Sequence, residues 1–210
     1  MAHHRDTTPA QMIDDRGYSF GRLLSQVFHP ILINILTFVI VGYYGLENPA
    51  VGLAWSGLCV LVAVLPPTLF YIVRRRQGAY GDEDVSIRQQ RNELYLVGFV
   101  WALIATVALV ALGLPRPHLA IMLTVLALGL VGGVINLFWK ISVHAASIAS
   151  LATIALLYSR NLGVALWICA LVVGWARVRT GNHTPLQVLA GFLCAATIVL
   201  GLFQIVGARA

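Results

Sequence analysis

Two histidines lie beside fixed positive charges in a chain that is otherwise mostly apolar. His144 lies in the stretch KISVHAAS and His183 in ARVRTGNHTPLQ. An imidazole with its ordinary pKa of about 6.5 exchanges protons near neutral pH, and the fork of a guanidinium group suits phosphate oxygens. These residue types favour phosphoryl transfer, in which one histidine attacks phosphorus and the other protonates the leaving oxygen.

Further candidate residues come from three polar clusters. The clusters are DVSIRQQRNELY at residues 84–95, KISVHAAS at 140–147 and ARVRTGNHTPLQ at 176–187. The side chains in them that could hold a phosphate are Arg88, Arg91, Lys140, Ser142 and Arg177. No carboxylate cluster, cysteine pair or His-x3-His spacing accompanies the histidines, so the sequence predicts neither a metal site nor a cofactor.

The third cluster also predicts the start of a helix. Thr184, Pro185 and Gln187 follow the pattern of a capping box, with proline at the first helical position. His183 then stands just before a helix N-terminus, where backbone N–H groups and the helix dipole favour an anion. Ser142 is the corresponding cap for the helix that carries His144.

The composition limits which elements can position these clusters. Of the 210 residues, 59% are hydrophobic and 10% are charged, and a mean hydropathy of +0.84 excludes an ordinary water-soluble domain. A bilayer core about 30 Å thick needs roughly 20 apolar residues per helical crossing, and the alternating pattern of a membrane barrel is absent. We therefore predict an all-α fold, a polytopic transmembrane helical bundle of about six to seven spans.

Seven predicted spans follow a polar N-terminal segment, residues 1–22, and form one membrane-embedded domain, residues 23–210. They lie at 23–44, 51–73, 94–114, 118–139, 141–159, 161–176 and 185–207. The span at 161–176 is the shortest of them, because 16 residues at about 1.5 Å each reach only about 24 Å. This span is either tilted little or extended by its arginine-bearing end. Six spans and eight spans are kept as alternatives.

The basic residues are distributed unevenly between the two predicted faces of the bundle. With seven spans, the face that carries the three clusters holds 11 of the 14 Lys and Arg residues, and the other face holds Arg116, Arg160 and Arg209. The positive-inside rule then places the clusters in the cytoplasm, with the bacterial inner (cytoplasmic) membrane as the expected location. The run Arg74–Arg76 is interpreted as a topology anchor at anionic headgroups.

The order and spacing of the motifs resemble those of the type 2 phosphatidic acid phosphatase superfamily. The residues that carry the resemblance are Ser142-Val143-His144 and, 33 residues after that histidine, the start of Arg177-x5-His183-x3-Gln187. The family's pattern is Lys-x6-Arg-Pro, then Pro-Ser-Gly-His, then Ser-Arg-x5-His-x3-Asp. The similarity covers roughly residues 84–191, and the stretch SQVFHPIL is similar to the start of some bacterial members.

The resemblance implies a metal-independent membrane lipid phosphatase or diphosphatase. His183 would attack phosphorus and form a phosphohistidine, while His144 would protonate the leaving group and later activate water. Arg177 would hold equatorial phosphate oxygens, Arg91 fits the arginine of the first motif, and Ser142 would donate a hydrogen bond to the phosphate. The implied substrate is a lipid phosphate such as phosphatidic acid, or a polyprenyl diphosphate. Membrane lipids and a second copy of the chain are the other candidate partners, and no nucleic acid is expected.

Several positions depart from the family's pattern. Asp84 stands where the family has lysine, so the missing positive charge falls to Arg88 or Lys140. Gln187 replaces the aspartate that follows His183, and it can orient the imidazole but adds no negative charge, so we expect slower chemistry. The two prolines, the glycine and the serine of the pattern are replaced by Asn92, Ile141, Val143 and Ala176.

Two other interpretations stay open. The acidic run Asp82–Asp84 ahead of Arg88 and Arg91 is typical of a charged helix start with i,i+4 pairing, and we predict that arrangement for Asp84. The chain could also be a non-catalytic membrane subunit, or a carrier whose arginines bind an anionic headgroup without cleaving it.

Overall fold

This computed structural model describes residues 9–208, with side chains described from Arg16 onward, and its regular elements are helices. No β-strand occurs in that range, so the predicted all-α fold is confirmed. The helices are α1 (Pro9–Val27), α2 (Pro30–Tyr44), α3 (Pro49–Cys59), α4 (Leu65–Arg76), α5 (Arg91–Ala111), α6 (Arg116–Asn136), α7 (Val143–Tyr158), α8 (Arg160–Arg179) and α9 (Pro185–Val206). Arg5 and Arg209, which enter the predicted charge distribution, and the first eight residues of the predicted polar segment lie outside the described residues.

Five helical stretches within residues 9–208 are long and apolar enough to cross a membrane. They are Pro49–Arg76, Arg88–Ala111, α6, α8 and α9. Arg16–Val27 and α2 meet at an angle of 44° and count as a sixth crossing if they act together. The protein is therefore an integral membrane protein. It has five or six full-length crossings within the described residues, compared with the six to seven spans predicted.

The short apolar helix that makes no full-length crossing is α7, with 16 residues, and not the predicted short span at 161–176. α8 has 20 residues and continues through Arg177 to Arg179, three residues beyond the predicted end, so the predicted span is confirmed as a helix long enough to cross a membrane. The apolar run of the sequence ends at Arg177, but the helix continues because the guanidinium group of Arg177 is paired with Asp84 inside the protein. The 16 residues of α7 reach about 24 Å, and 12 of them are buried, packed between α2, α8 and α9.

Two glycines let neighbouring helices approach α7 closely. A Cβ at Gly163 of α8 would overlap the backbone of Leu156, and a Cβ at Gly191 of α9 would lie 2.9 Å from the carbonyl oxygen of Ser142. Neither position has room for a larger residue. The first turns of α7 and α9 are thereby brought together, and the N–H of Ser142 donates to the carbonyl of Gln187 at 3.2 Å.

Two irregularities shape the space between the helices. The helical conformation is interrupted between α1 and α2 at His29. Nδ1 of His29 accepts from the N–H of Ile31 at 3.3 Å and so caps α2. A π-helical segment joins α3 to α4 just before the prolines at 66–67, which have no N–H to donate. The carbonyl of Val62 in that segment accepts from the indole of Trp101 at 2.7 Å.

The segment between α4 and α5 lies against the end of the bundle that carries the three clusters. We call residues 82–87 the acidic loop. The carboxylate of Asp82 accepts from the N–H of Asp84 at 2.9 Å, which tightens the turn. The hydroxyl of Tyr71 in α4 donates to the carbonyl of Glu83 at 2.6 Å, so the loop is fastened to the bundle.

Candidate active site

His183 lies in the turn between α8 and α9, immediately before the predicted capping box. The capping box is present: Oγ1 of Thr184 accepts from the N–H of Gln187 at 3.3 Å, and Oε1 of Gln187 accepts from the N–H of Thr184 at 3.2 Å. The same Oε1 lies 3.2 Å from Nδ1 of His183. Because an amide oxygen can only accept, Nδ1 carries the proton and Nε2 keeps its lone pair.

Burial and positive charge keep the imidazole of His183 neutral. The pKa of His183 is lowered to about 3, first by burial and then by the charges of Arg91, Arg177 and Lys140, while the bond to Gln187 opposes this shift. A neutral imidazole with an unprotonated Nε2 is the form that can act as a nucleophile.

His144 occupies the first turn of α7. The helix is capped as predicted, since Oγ of Ser142 accepts from the N–H of Ala145 at 3.3 Å. Nε2 of His144 lies 3.2 Å from the carbonyl oxygen of Ser25 in α1 and 3.8 Å from Oδ1 of Asp84 in the acidic loop. A carbonyl oxygen only accepts, so Nε2 of His144 carries a proton. Ser142 is itself fully buried, and its hydroxyl serves the cap.

Arg177 is paired with the acidic loop. Its side chain is 1% exposed, and Nη1 donates to Oδ2 of Asp84 at 3.1 Å. Nδ2 of Asn182 donates to the same oxygen at 2.9 Å. Nε of Arg177 is buried and has no hydrogen-bond partner among the residues that the structure describes. The predicted helix start at Asp84 is wrong, because the buried guanidinium draws this carboxylate out of any helical pairing, and regular helix begins only after the loop.

Arg91, at the start of α5, ties the acidic loop to the segment before α7. Its Nε donates to the carbonyl of Val85 at 2.6 Å, Nη2 to that of Asp84 at 3.3 Å and Nη1 to that of Ile141 at 3.4 Å. The guanidinium satisfies three backbone acceptors that would otherwise be left unpaired near the site. Arg91 is buried and still borders the cavity that the two histidines share.

Two of the predicted phosphate-binding residues lie farther out. Nη1 of Arg88 donates to the carbonyl of Asn136 at 2.8 Å, and Asn136 donates back to the carbonyl of Arg88 at 2.9 Å, so this side chain fastens α5 to α6. Nζ of Lys140 lies 3.5 Å from the carbonyl of Ser86 in the acidic loop. Burial, followed by the nearby guanidinium groups, lowers the pKa of Lys140. Neither side chain lines the cavities at the site.

Two cavities meet at the site. The apolar cavity, of about 360 Å³, has His183, His144 and Arg91 at one end and runs between α2, α4, α5 and α6. The polar cavity, of about 320 Å³, is bordered by Arg177 and by Arg22 of α1. The residues that line both cavities, and so form the wall between them, are His29, Glu83 and Asp84. The structure therefore brings both histidines and one arginine to one cavity and places Arg177 behind a carboxylate.

The donors of the site suit an anion. Guanidinium groups come from Arg91 and Arg177, and the ammonium group of Lys140 adds positive potential nearby. Within residues 9–208, no group of three or more His, Cys, Asp or Glu residues could hold a metal ion. The arrangement is chemically fitted to a phosphate group.

The sequence had not singled out several residues that surround the histidines. His29 meets His144 edge-on, with ring centroids 5.8 Å apart, and Asn182 shares the carboxylate of Asp84 with Arg177. The sequence could have indicated a site role for Asp84, because this residue stands where the family's pattern has a lysine. The carbonyl of Ser25 carried none, since every residue has a backbone carbonyl.

Comparison with known protein families finds one that matches the chain. The family model of the PAP2 superfamily matches residues 94–210, which is more than half of the chain. The matched part contains His144, Arg177 and His183, and it begins just after Arg91 and the acidic loop. No curated protein and no solved structure matches the chain.

Proposed function

The chain belongs to the PAP2 superfamily, and we propose on that premise that it is a metal-independent membrane phosphatase that acts on lipid phosphates or diphosphates. The observation that carries this proposal is the imidazole of His183, which Gln187 holds through Nδ1 and which borders the same cavity as His144 and Arg91. A neutral histidine with its second nitrogen unoccupied, beside another histidine and a buried guanidinium, is arranged as a nucleophile with its acid.

The proposed reaction has two steps. In the first, Nε2 of His183 forms a bond to phosphorus, the bond from phosphorus to the leaving oxygen breaks, and protonated His144 gives its proton to that oxygen. In the second, His144 takes a proton from water, the water oxygen attacks phosphorus, and the P–N bond breaks to release inorganic phosphate. Arg91, Arg177 and Lys140 supply the positive potential in which negative charge develops on the phosphate oxygens.

The apolar cavity supports a substrate with a single chain. Its far end is lined by Phe38, Ala102 and Met122, well away from the polar end at the histidines. A water molecule takes up about 30 Å³ of liquid, and a methylene group is of similar size, so a cavity of about 360 Å³ holds on the order of a dozen carbon atoms. We therefore favour a polyprenyl diphosphate or another single-chain lipid phosphate over a two-chain phosphatidic acid.

The proposed site opens to the cytoplasm. With the seven spans predicted from the sequence, the face of the three clusters would hold 11 of the 14 Lys and Arg residues, which supports this orientation by the positive-inside rule. A cytoplasmic site would act on lipid phosphates whose headgroups lie in the inner leaflet of the bacterial inner membrane.

Phosphate release from the purified protein tests the proposal. The protein in detergent is incubated with farnesyl diphosphate in the presence of a chelator, with and without vanadate. We expect metal-independent release of phosphate and inhibition by vanadate, which resembles the transferring phosphoryl group. Binding of farnesyl diphosphate without release of phosphate would instead indicate the carrier or the non-catalytic subunit.

A further inference from the structure

Asp84 is the point at which four parts of the site meet. Its Oδ2 accepts from Nη1 of Arg177 at 3.1 Å and from Nδ2 of Asn182 at 2.9 Å. Its Oδ1 lies 3.8 Å from Nε2 of His144. Its carbonyl accepts from Nη2 of Arg91 at 3.3 Å. The proposed reaction assigns no role to this carboxylate, although it stands between the proposed acid and a proposed phosphate-binding arginine.

The backbone that presents Asp84 is held in a costly conformation. Val85 has a φ of 49° and is the one non-glycine residue with a positive φ within residues 9–208. A β-branched residue in this region costs roughly 1–3 kcal/mol and persists only when its surroundings impose it. Here the side chain of Val85 is buried and its carbonyl accepts from Arg91 at 2.6 Å. The carboxylate of Asp84 is therefore aimed by the fold.

We propose that Asp84 is a positioning residue for both Arg177 and His144 in the phosphatase reaction. This inference rests on the proposed function. Asp84 holds Arg177 through Nη1, and the buried Nε of Arg177 has no partner within the described part of the chain. A carboxylate beside an imidazole also favours the protonated ring, which is the form that His144 needs as an acid. In the family's pattern an aspartate follows the nucleophilic histidine, where this chain has Gln187. Here the negative charge of Asp84 lies beside the other histidine, His144.

Most of the surroundings of His144 disfavour its protonated form, so the carboxylate of Asp84 matters for its role as an acid. Arg177 from α8 and Arg91 from α5 face the ring, as does His29 from the junction of α1 and α2. Burial disfavours a positive charge on His144, as do Arg177, His29 and Arg91, and the nucleophile across the cavity is neutral. Without Asp84, the protonated ring would keep the carbonyl of Ser25 as an acceptor but would lose the carboxylate at 3.8 Å.

The test compares Asp84→Asn with Glu93→Gln, using phosphate release from farnesyl diphosphate. Both variants remove one negative charge from this end of the bundle, but Glu93 pairs with Arg74 at 2.9 Å and lines neither cavity. We expect Asp84→Asn to lower kcat by about 10- to 100-fold, the usual cost of losing an orienting partner, and to raise KM much less. The basic limb of its kcat profile should move to lower pH, because His144 loses its proton more easily. Glu93→Gln should leave both the rate and the profile unchanged.

A conservative variant keeps the test decisive if Asp84→Asn does not fold. Asp84→Glu retains the charge but displaces it, so we expect a lower kcat with the basic limb at the wild-type pH. An Asp84→Asn variant with a higher kcat/KM would overturn the proposal, because the carboxylate would then be a competitor of phosphate for Arg177. A basic limb that does not move would overturn it as well. A wild-type protein that releases no phosphate would overturn the proposed function itself, whereas failure of the Asp84 proposal requires an active wild type.

Discussion

The turn between α8 and α9 and the acidic loop position their site residues in opposite ways. In the turn, His183, Thr184 and Gln187 hold one another through hydrogen bonds of 3.2 to 3.3 Å within five residues of sequence. In the acidic loop, Asp84 reaches Arg177 and Asn182, which lie 93 and 98 residues further along the chain. A local arrangement forms wherever its residues occur together, whereas a long-range one exists only after the helices have packed.

This difference predicts that substitutions in the turn mainly change activity, whereas substitutions in the acidic loop change both activity and stability. A change at His183 or Gln187 should affect the nucleophile while the bundle stays intact, because the side chains of His183, Thr184 and Gln187 are held by one another and by the local backbone. A change in the acidic loop touches Arg91 and Arg177, which are both buried, and so affects activity and packing together. The following predictions test that separation.

The largest effect is expected at the centre of the turn. His183→Ala removes the nitrogen that bonds to phosphorus, so phosphate release should fall more than about a thousandfold while the melting temperature stays near that of the wild type. Arg75→Ala is the control in the other region, since it removes only an ion pair at the exposed edge of the acidic loop. Its rate of phosphate release should match the wild type. A His183→Ala protein that kept the wild-type rate would eliminate the covalent mechanism.

A smaller effect is expected from the partner of the nucleophile. Gln187→Leu removes both the acceptor for Nδ1 of His183 and half of the capping box, so activity should fall by about 10- to 100-fold. Gln187→Asp restores the residue type of the family's pattern and should retain or raise activity, since it still accepts a hydrogen bond and still favours the helix N-terminus. Rates and melting temperatures of both variants provide the measurement. Equal rates and stabilities for Gln187→Leu and wild type would show that the turn does not orient the nucleophile.

A third prediction concerns the apolar cavity onto which both regions face. Gly98 lines this cavity, and a Cβ at that position would meet no atom within 4 Å, so Gly98→Leu should fill the cavity without disturbing α5. We expect kcat/KM for farnesyl diphosphate to fall about tenfold, the equivalent of about 1.4 kcal/mol, while release from a short soluble phosphate ester stays unchanged. Gly57→Leu is the matched control, because its Cβ also meets open space but does not line the cavity. Equal losses for both substrates would argue against a chain in this cavity.

The smallest effect is a change in stability with pH that originates in the turn. His183 titrates at about 3 in the folded protein and at about 6.5 in an unfolded chain, so the unfolded state binds more protons between these values. The stability associated with neutral His183 is therefore fully present above about pH 6.5 and is lost as the pH falls, by roughly 2 kcal/mol at pH 5. Between pH 7 and pH 5, the melting temperature of the wild type should fall by several degrees more than that of His183→Gln. Parallel curves would mean that His183 is not buried as a neutral group.

Local patterns in the sequence predicted the helices and the turn. Apolar runs of about 20 residues indicated membrane-spanning helices, because a bilayer core admits little else. The pattern Thr184, Pro185 and Gln187 predicted the capping box, and Ser142 predicted the cap of α7. These features depend on neighbours within about one helical turn, and such neighbours can be read directly from the sequence.

The tertiary structure alone decided which distant charges share the site. The sequence offered Arg88 and Lys140 as replacements for the missing lysine, but Arg88 fastens α5 to α6 and lines neither cavity. It also suggested a helix start for Asp84, whereas the fold places that carboxylate on Arg177. A buried charge takes whatever partner the packed helices bring within reach, because the cost of leaving it unpaired exceeds any local preference. That choice is made across some ninety residues of chain, where local spacing carries no information.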